Sequence, residues 1–182
     1  MATPTTLPAS FTAGQVLTAA QQNALRGAFR VLQVVSTTKV DTFTTTSTTF
    51  TDITGLSVTI TPSFASSQIL VFAQINASND TTVSWLQLNL VRGSTAIDVG
   101  TAVGSRTATS AQVDYFSGGG GAVITTPLIF LDSPATTSAT TYKIQGRNTS
   151  AGTAYVNRSK GDTDAATQGR FASTITVLEI SA

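Results

Sequence analysis

Residues 122–147 read AVITTPLIFL (122–131), DSPATTSATT (132–141) and YKIQGR (142–147), and the reading of this stretch decides the fold. The first run is apolar on both parities: Ile124, Leu128 and Phe130 share one face, while Val123, Ile129 and Leu131 share the other. That pattern predicts a strand covered on both faces. In the last run Tyr142 and Ile144 alternate with Lys143, Gln145 and Arg147, the period-two pattern of a strand with one buried and one polar face. Together they predict an antiparallel hairpin within two packed sheets, or a sheet lying against another subunit. Pro127 lacks the N–H that a ladder needs, so the first strand must be bulged or lie at a sheet edge. An edge strand apolar on both faces needs a cover. Leu128 and Phe130, or their opposite-face neighbours, are therefore the candidate subunit interface.

Composition points the same way. The chain has 182 residues, enough for one domain with a substantial core, yet only 10% of them are charged. Thr, Ser, Ala and Gly stand where Lys and Glu normally cover a surface, and Thr fits a pleated strand better than a helix. The ten basic and nine acidic residues leave a net charge of +1, and the arginines are scattered, so no patch for nucleic acid is expected. There is no Cys and no His. Disulfides, thiolate catalysis and the commonest general base and metal ligand are thereby excluded, and neither an enzyme nor a cofactor is expected. No apolar run reaches the ~18 residues of a membrane span, and residues 1–10 lack a basic n-region, so the expectation is a soluble chain without a secretion signal.

Along the chain, residues 1–10 carry Pro4 and Pro8 among small polar residues and read as an extended arm. Thr18 followed by Gln21 is a capping-box pattern, predicting a short helix over 19–26 with Gly27 as its stop. So short a helix needs a surface to rest on, either its own domain or a partner. Phe11, Val16, Leu17 and Leu25 are the candidate docking residues. Strands are expected over 31–35, 56–62, 68–76, 83–92, 95–100, 152–158 and 172–180, with a Thr-rich edge strand or loop over 37–51. Leu86, Leu88 and Leu90 alternate with Gln87 and Asn89, and the turn Arg92-Gly93-Ser94-Thr95 predicts a tight hairpin. Trp85 reads as core or interface filler. The glycine run ending at Gly121 precedes a strand rather than a helix, which rules out a phosphate-binding loop. Tyr115 and Phe116 beside it are candidate contacts. Asp162 and Asp164 lack the further ligands that calcium needs, so they read as a solvated loop and as candidate receptor contacts. The Asn-x-Ser/Thr triplets at Asn76, Asn79, Asn148 and Asn157 are expected by chance in so Thr- and Ser-rich a chain.

About nine short strands with turn signals between them predict an all-β, antiparallel jelly-roll-like sandwich over 31–182, preceded by an extended N-terminal arm and one short helix over 1–30. A closed up-and-down barrel fits the uneven strands less well.

Two sets of residues carry a resemblance. FTAGQVLTAAQQNAL (11–25) resembles the opening segment of virion structural proteins of tailed bacteriophages. LDSPATTSATTYKIQ (131–145) and GRFASTITVLEI (169–180) are similar to β-domains of phage tail fibres and other virion proteins. The resemblance implies a virion component assembled in the host cytoplasm. The strand order is loosely similar to the trimeric jelly rolls of the tumour-necrosis-factor and complement-C1q type, which implies a homotrimer. Two roles follow: a tail-fibre-like, receptor-binding adsorption component that contacts a cell-surface glycan or protein, or a capsid decoration (cement) protein at local threefold positions. The first is preferred. In both, the arm contacts other virion proteins.

Overall fold

The strand carrying Pro127 lies at a sheet edge, with no bulge. The computed structural model describes residues 13–14, 16–19, 21–22, 31–114 and 121–181. Among these, eleven strands run in the order β1 (Val31–Lys39), β2 (Phe43–Thr45), β3 (Thr51–Ile60), β4 (Gln68–Asn79), β5 (Leu86–Arg92), β6 (Thr95–Ile97), β7 (Ala111–Val113), β8 (Ile124–Asp132), β9 (Thr140–Asn148), β10 (Ala154–Val156) and β11 (Ser173–Ile180). One sheet has the order β1-β11-β4-β8, and the short strands β2 and β10 prolong the columns of β1 and β11. The other has the order β3-β9-β5-β6, with β7 beside β6 along the same edge of β5.

The antiparallel pairs are nested: β1 with β11, β3 with β9, β4 with β8, and β5 with β6. This is one long hairpin rolled into two facing sheets, the jelly-roll arrangement expected from the strand spacing. Its innermost turn is the predicted hairpin, where Gly93 takes φ 59°. The segment 122–147, however, is not a hairpin. Its first strand, β8, pairs with β4, and its second, β9, pairs with β3 and β5 in the opposite sheet. Residues 133–139 are the reason: a tight hairpin needs two to five loop residues, whereas this longer segment spans the ~10 Å between packed sheets.

Burial alternates with period two along β9 and β11, whereas β5 is buried on both parities. Tyr142 and Ile144 on β9 are fully buried, as are Leu86, Leu88 and Leu90 on β5 and Ile175 and Val177 on β11. Ile69, Val71, Ala73 and Ile75 on β4 meet them from the other sheet, together with Ile53, Leu56, Val58 and Ile60 of β3. Each such Leu or Ile contributes roughly 1.5–3 kcal/mol by leaving water. The predicted Thr-rich edge forms as the end of β1 followed by β2, which pairs with β10.

Polar groups that enter the sandwich are paired. Asp132 of β8 accepts bonds from Arg92 Nη1 at 2.7 and 2.8 Å and from the Tyr142 hydroxyl at 2.6 Å, tying the two sheets together. Burial, and then the Asp132 carboxylate, push the Tyr142 hydroxyl well above its ordinary pKa. Glu179 of β11 is fully buried and accepts bonds from Gln33 Nε2 at 2.6 Å and the Ser63 backbone N–H at 2.6 Å. Burial raises its pKa, but the hydrogen bonds outweigh it and hold the carboxyl below the usual range. The asparagines of the four Asn-x-Ser/Thr triplets are all buried, and their amides are used internally: Asn157 Nδ2 donates to the Lys39 and Asp41 carbonyls, and Asn148 Nδ2 to those of Thr45 and Gly152.

Candidate interaction surfaces

The two outer faces of the sandwich differ in chemistry. On the β1-β11-β4-β8 sheet, the register sets side chains in rows across four strands. One row is Val34, Leu178, Leu70 and Leu131; the next is Ser36, Thr176, Phe72 and Ile129. At the end of β1, Val31 sits opposite Ile180. Val31, Val34, Phe72, Ile129 and Leu131 are between 41% and 60% exposed, and Leu70, Leu178 and Ile180 are half-buried beside them. The rows beyond are polar: Thr38, Thr174, Gln74 and Pro127, then Asn76 and Thr125. Ser36 and Thr176 share a cross-strand hydrogen bond of 2.7 Å at the boundary. None of these outward residues is charged.

Strand β8 separates its two parities between the core and this face. Leu128 is 4% exposed and belongs to the protein's own core, and Phe130 packs against that core, so neither presents itself to a partner. The outward side chains are their opposite-face neighbours, Ile129 and Leu131. Pro127, opposite Gln74, removes a donor from the middle of the free edge, which disfavours extension of the sheet by another strand and leaves the flat face as the adhesive surface.

The outer face of the β3-β9-β5-β6 sheet is polar and partly covered by the chain itself. The β6–β7 connection folds back over β5: Thr109 Oγ1 donates to the Leu88 carbonyl at 2.8 Å, and the Ser110 N–H donates to the Asn89 Oδ1 at 3.3 Å. A shallow groove of about 430 Å³ remains where this connection meets the sheet, lined by Trp85, Gln87, Arg106, Thr107, Gln112 and Arg147 among others. The register places Arg147, Gln87 and Gln112 in one row. Arg147 Nε donates to Gln87 Oε1 at 2.9 Å, its Nη2 donates to Thr107 Oγ1 at 2.7 Å, and its guanidinium lies 5.3 Å from the Phe50 ring centre. Gln87 Nε2 in turn donates to Gln112 Oε1 at 3.0 Å. Trp85 is not core filler: it lies on the outward parity, 36% exposed, because Leu86 takes the inward position next to it.

The acidic loop is solvated as expected, with residues 163–167 exposed, but Asp162 within it is paired. Asp162 is clamped between Arg158, at 3.0 Å, and Arg170, and the Arg158 guanidinium stacks 4.3 Å from the Tyr155 ring centre. This aspartate holds its own loop together, while Asp164 is exposed. No cluster of three or more acidic residues able to hold a metal occurs among the described residues.

In the N-terminal segment the capping box forms as predicted: the Gln21 N–H donates to Thr18 Oγ1 at 3.2 Å, and the Thr18 N–H to Gln21 Oε1 at 3.0 Å. Val16 is 87% and Leu17 38% exposed. The candidate docking residues Phe11 and Leu25 and the candidate contacts Tyr115 and Phe116 lie outside the described residues. Among those, no helix is long and apolar enough to cross a membrane.

No protein-family model matches the chain, and no curated protein matches it. Among solved structures, it is similar to a chain in the structure of infectious bursal disease virus, Gx strain, with 14% identity and a TM-score of 0.43, over 82% of this chain and 37% of that one. The protein thus spans well under half the length of that chain. A likeness of this size carries no argument about function or partner.

Proposed function

We propose that the protein is a structural subunit of a virus particle, a tail-fibre-like adsorption component that assembles as a homotrimer through the outer face of the β1-β11-β4-β8 sheet. One observation carries this reading: the contiguous set Val31, Val34, Leu70, Phe72, Ile129, Leu131, Leu178 and Ile180 on an uncharged, exposed sheet face. Soluble monomers rarely leave so continuous an apolar patch in water. A face without charge also lets identical copies meet with no like-charge repulsion, so a second copy of the same chain is the fitting occupant. The number three comes from the nested jelly-roll order and its resemblance to trimeric jelly rolls. The virion setting comes from the resemblance of residues 11–25, 131–145 and 169–180 to phage structural proteins.

Light scattering on purified protein tests the assembly, since a trimer has three times the 18.7 kDa chain mass. A monomeric wild-type protein overturns the reading. Label on intact particles tests the placement: signal at the tail supports the adsorption role, and signal spread over the head makes it a decoration protein instead. Removing residues 1–28 is expected to leave a folded trimer that no longer joins the particle. A truncated chain that becomes monomeric would show that the arm, rather than the apolar face, holds the copies together.

A further inference from the structure

We infer that the groove between Trp85 and Arg147 is a binding site for a carboxylate-bearing saccharide. The assignment deepens the adsorption reading proposed above and rests on it. Four features converge there. Trp85 presents part of a broad apolar ring at the groove wall, the kind of surface on which the C–H face of a sugar ring stacks. Gln87 and Gln112 are joined in one row by their side-chain amides, and Gln112 Nε2 donates to no described partner, leaving a fixed donor for a ring hydroxyl. Arg147 donates from Nε to Gln87, from Nη1 to the Thr48 carbonyl and from Nη2 to Thr107, and lies by the Phe50 ring; all these partners are neutral, and one N–H on each terminal nitrogen remains. Arg106, exposed, also lines the groove and makes no ion pair among the described residues.

The charge pattern selects the ligand class. Elsewhere the cations meet carboxylates: Arg92 meets Asp132, Arg158 and Arg170 meet Asp162, Lys39 meets Asp41 and Lys143 meets Asp52. The groove departs from this habit, since its described lining holds two guanidinium groups and no carboxylate. A half-buried guanidinium fixed by neutral partners is set up to take a planar anion in a bidentate pair. A simple inorganic anion would use the arginines but not the indole or the amide row. A neutral sugar would use the indole and amides but leave the positive charge unanswered. A sugar that carries a carboxylate uses all of them.

Trp85 is the sole tryptophan of the chain, so intrinsic tryptophan fluorescence reports occupancy of this groove directly. Full-length protein is titrated with a glucuronate-containing tetrasaccharide and with a sialylated trisaccharide, each beside its carboxyl-reduced form and beside inorganic sulfate. A saturable change with one or both acidic glycans is expected, at least about tenfold weaker for the reduced form, as for loss of a charge-assisted hydrogen bond; the arm that responds identifies the sugar class. R106Q, at an exposed residue, should weaken binding severalfold without changing the unfolding midpoint, and Q112A should also weaken it, with folding checked because it removes the acceptor of Gln87 Nε2. R147Q should abolish the response, with folding checked by circular dichroism because this side chain also ties the β6–β7 connection to the sheet. Equal affinity for the reduced glycan, an equal response to sulfate alone, or no saturable response to either glycan overturns the assignment. The two proposals fail separately: a trimer labelled at the tail with no carboxylate-dependent response sinks only the groove, whereas a carboxylate-dependent response from protein spread over the head sinks only the adsorption role.

Discussion

The two outer faces of this sandwich solve the same problem in opposite ways. A sheet that packs one face on a core must do something with the other. The β3-β9-β5-β6 sheet folds its own β6–β7 connection over β5 and fills the remainder with polar side chains, so that even Asn89 and Val91 on its outward parity are buried. The β1-β11-β4-β8 sheet has no such cover among the described residues, and leaves Phe72, Ile129 and Leu131 in water. The first face is finished within one chain and can offer a groove to a ligand. The second is incomplete in one chain, and completion by other copies is the proposal.

The sharpest way to break the comparison is to charge the apolar face. F72D combined with I129E places two acids side by side in the Ser36–Ile129 row, next to the Val34–Leu131 row, and is expected to weaken self-association by at least about a thousandfold, ~4 kcal/mol. Sedimentation should then show a folded monomer whose tryptophan still responds to the groove ligand. If assembly persists, the contact lies elsewhere.

Next in size is the link that holds the two faces together. D132A leaves Arg92 and the Tyr142 hydroxyl without their shared acceptor, and because Arg92 is a third exposed the expected cost is about 2–4 kcal/mol, read from urea unfolding. Y142F, which removes only the hydroxyl, should cost about 1 kcal/mol.

A smaller, pH-dependent effect comes from Glu179, under the apolar end of the β4 face. Its carboxyl has a lower pKa folded than its ordinary value of 4.5, so the stability it contributes is present above pH 4.5 and is lost as pH falls through the folded value. The midpoint of urea unfolding should fall below pH 4.5, and E179Q should flatten that limb while lowering stability at pH 7. An acid limb unchanged by E179Q assigns the acid sensitivity to the other carboxylates.

The smallest effect sharpens the boundary between the apolar and polar ends of the face. S36A removes one side of the hydrogen bond to Thr176 and is expected to change stability by less than about 1 kcal/mol and assembly not at all. A dissociation constant shifted tenfold by S36A would extend the contact surface into the polar rows.

How much of this was legible in the residues depends on the range of the signal. The alternation Tyr142-Lys143-Ile144-Gln145 and the turn at Gly93 are local, and each predicted its element correctly. The double apolar parity of 122–131 was legible too, and Pro127 narrowed that strand to a bulge or an edge, of which the structure has the edge. What misled was the assumption that neighbouring strands pair: β8 and β9 lie in opposite sheets. The parity of β8 stayed open for a related reason, since Leu128 and Phe130 or Ile129 and Leu131 could equally have faced the core. The run QILVFAQIN (68–76) carries the same double parity, with Ile69 and Val71 inward and Leu70 and Phe72 outward, and would have marked the apolar face had it been set beside 122–131. The Trp85 groove had no such signal, because its lining comes from residues up to 64 positions apart, from Trp85 to Thr149.

The sequence by itself determined the class of this protein: period-two alternation, turn chemistry and the scarcity of charge are properties of adjacent residues, and they suffice to make an antiparallel sandwich without Cys or His chemistry. Only the tertiary structure decided which strands are partners, which parity of β8 meets the core, and that Arg147 stands in a row with Gln87 and Gln112. Those are relations between residues far apart in the chain, set by the way one long hairpin rolls up so that the largest apolar surface is buried in a single core.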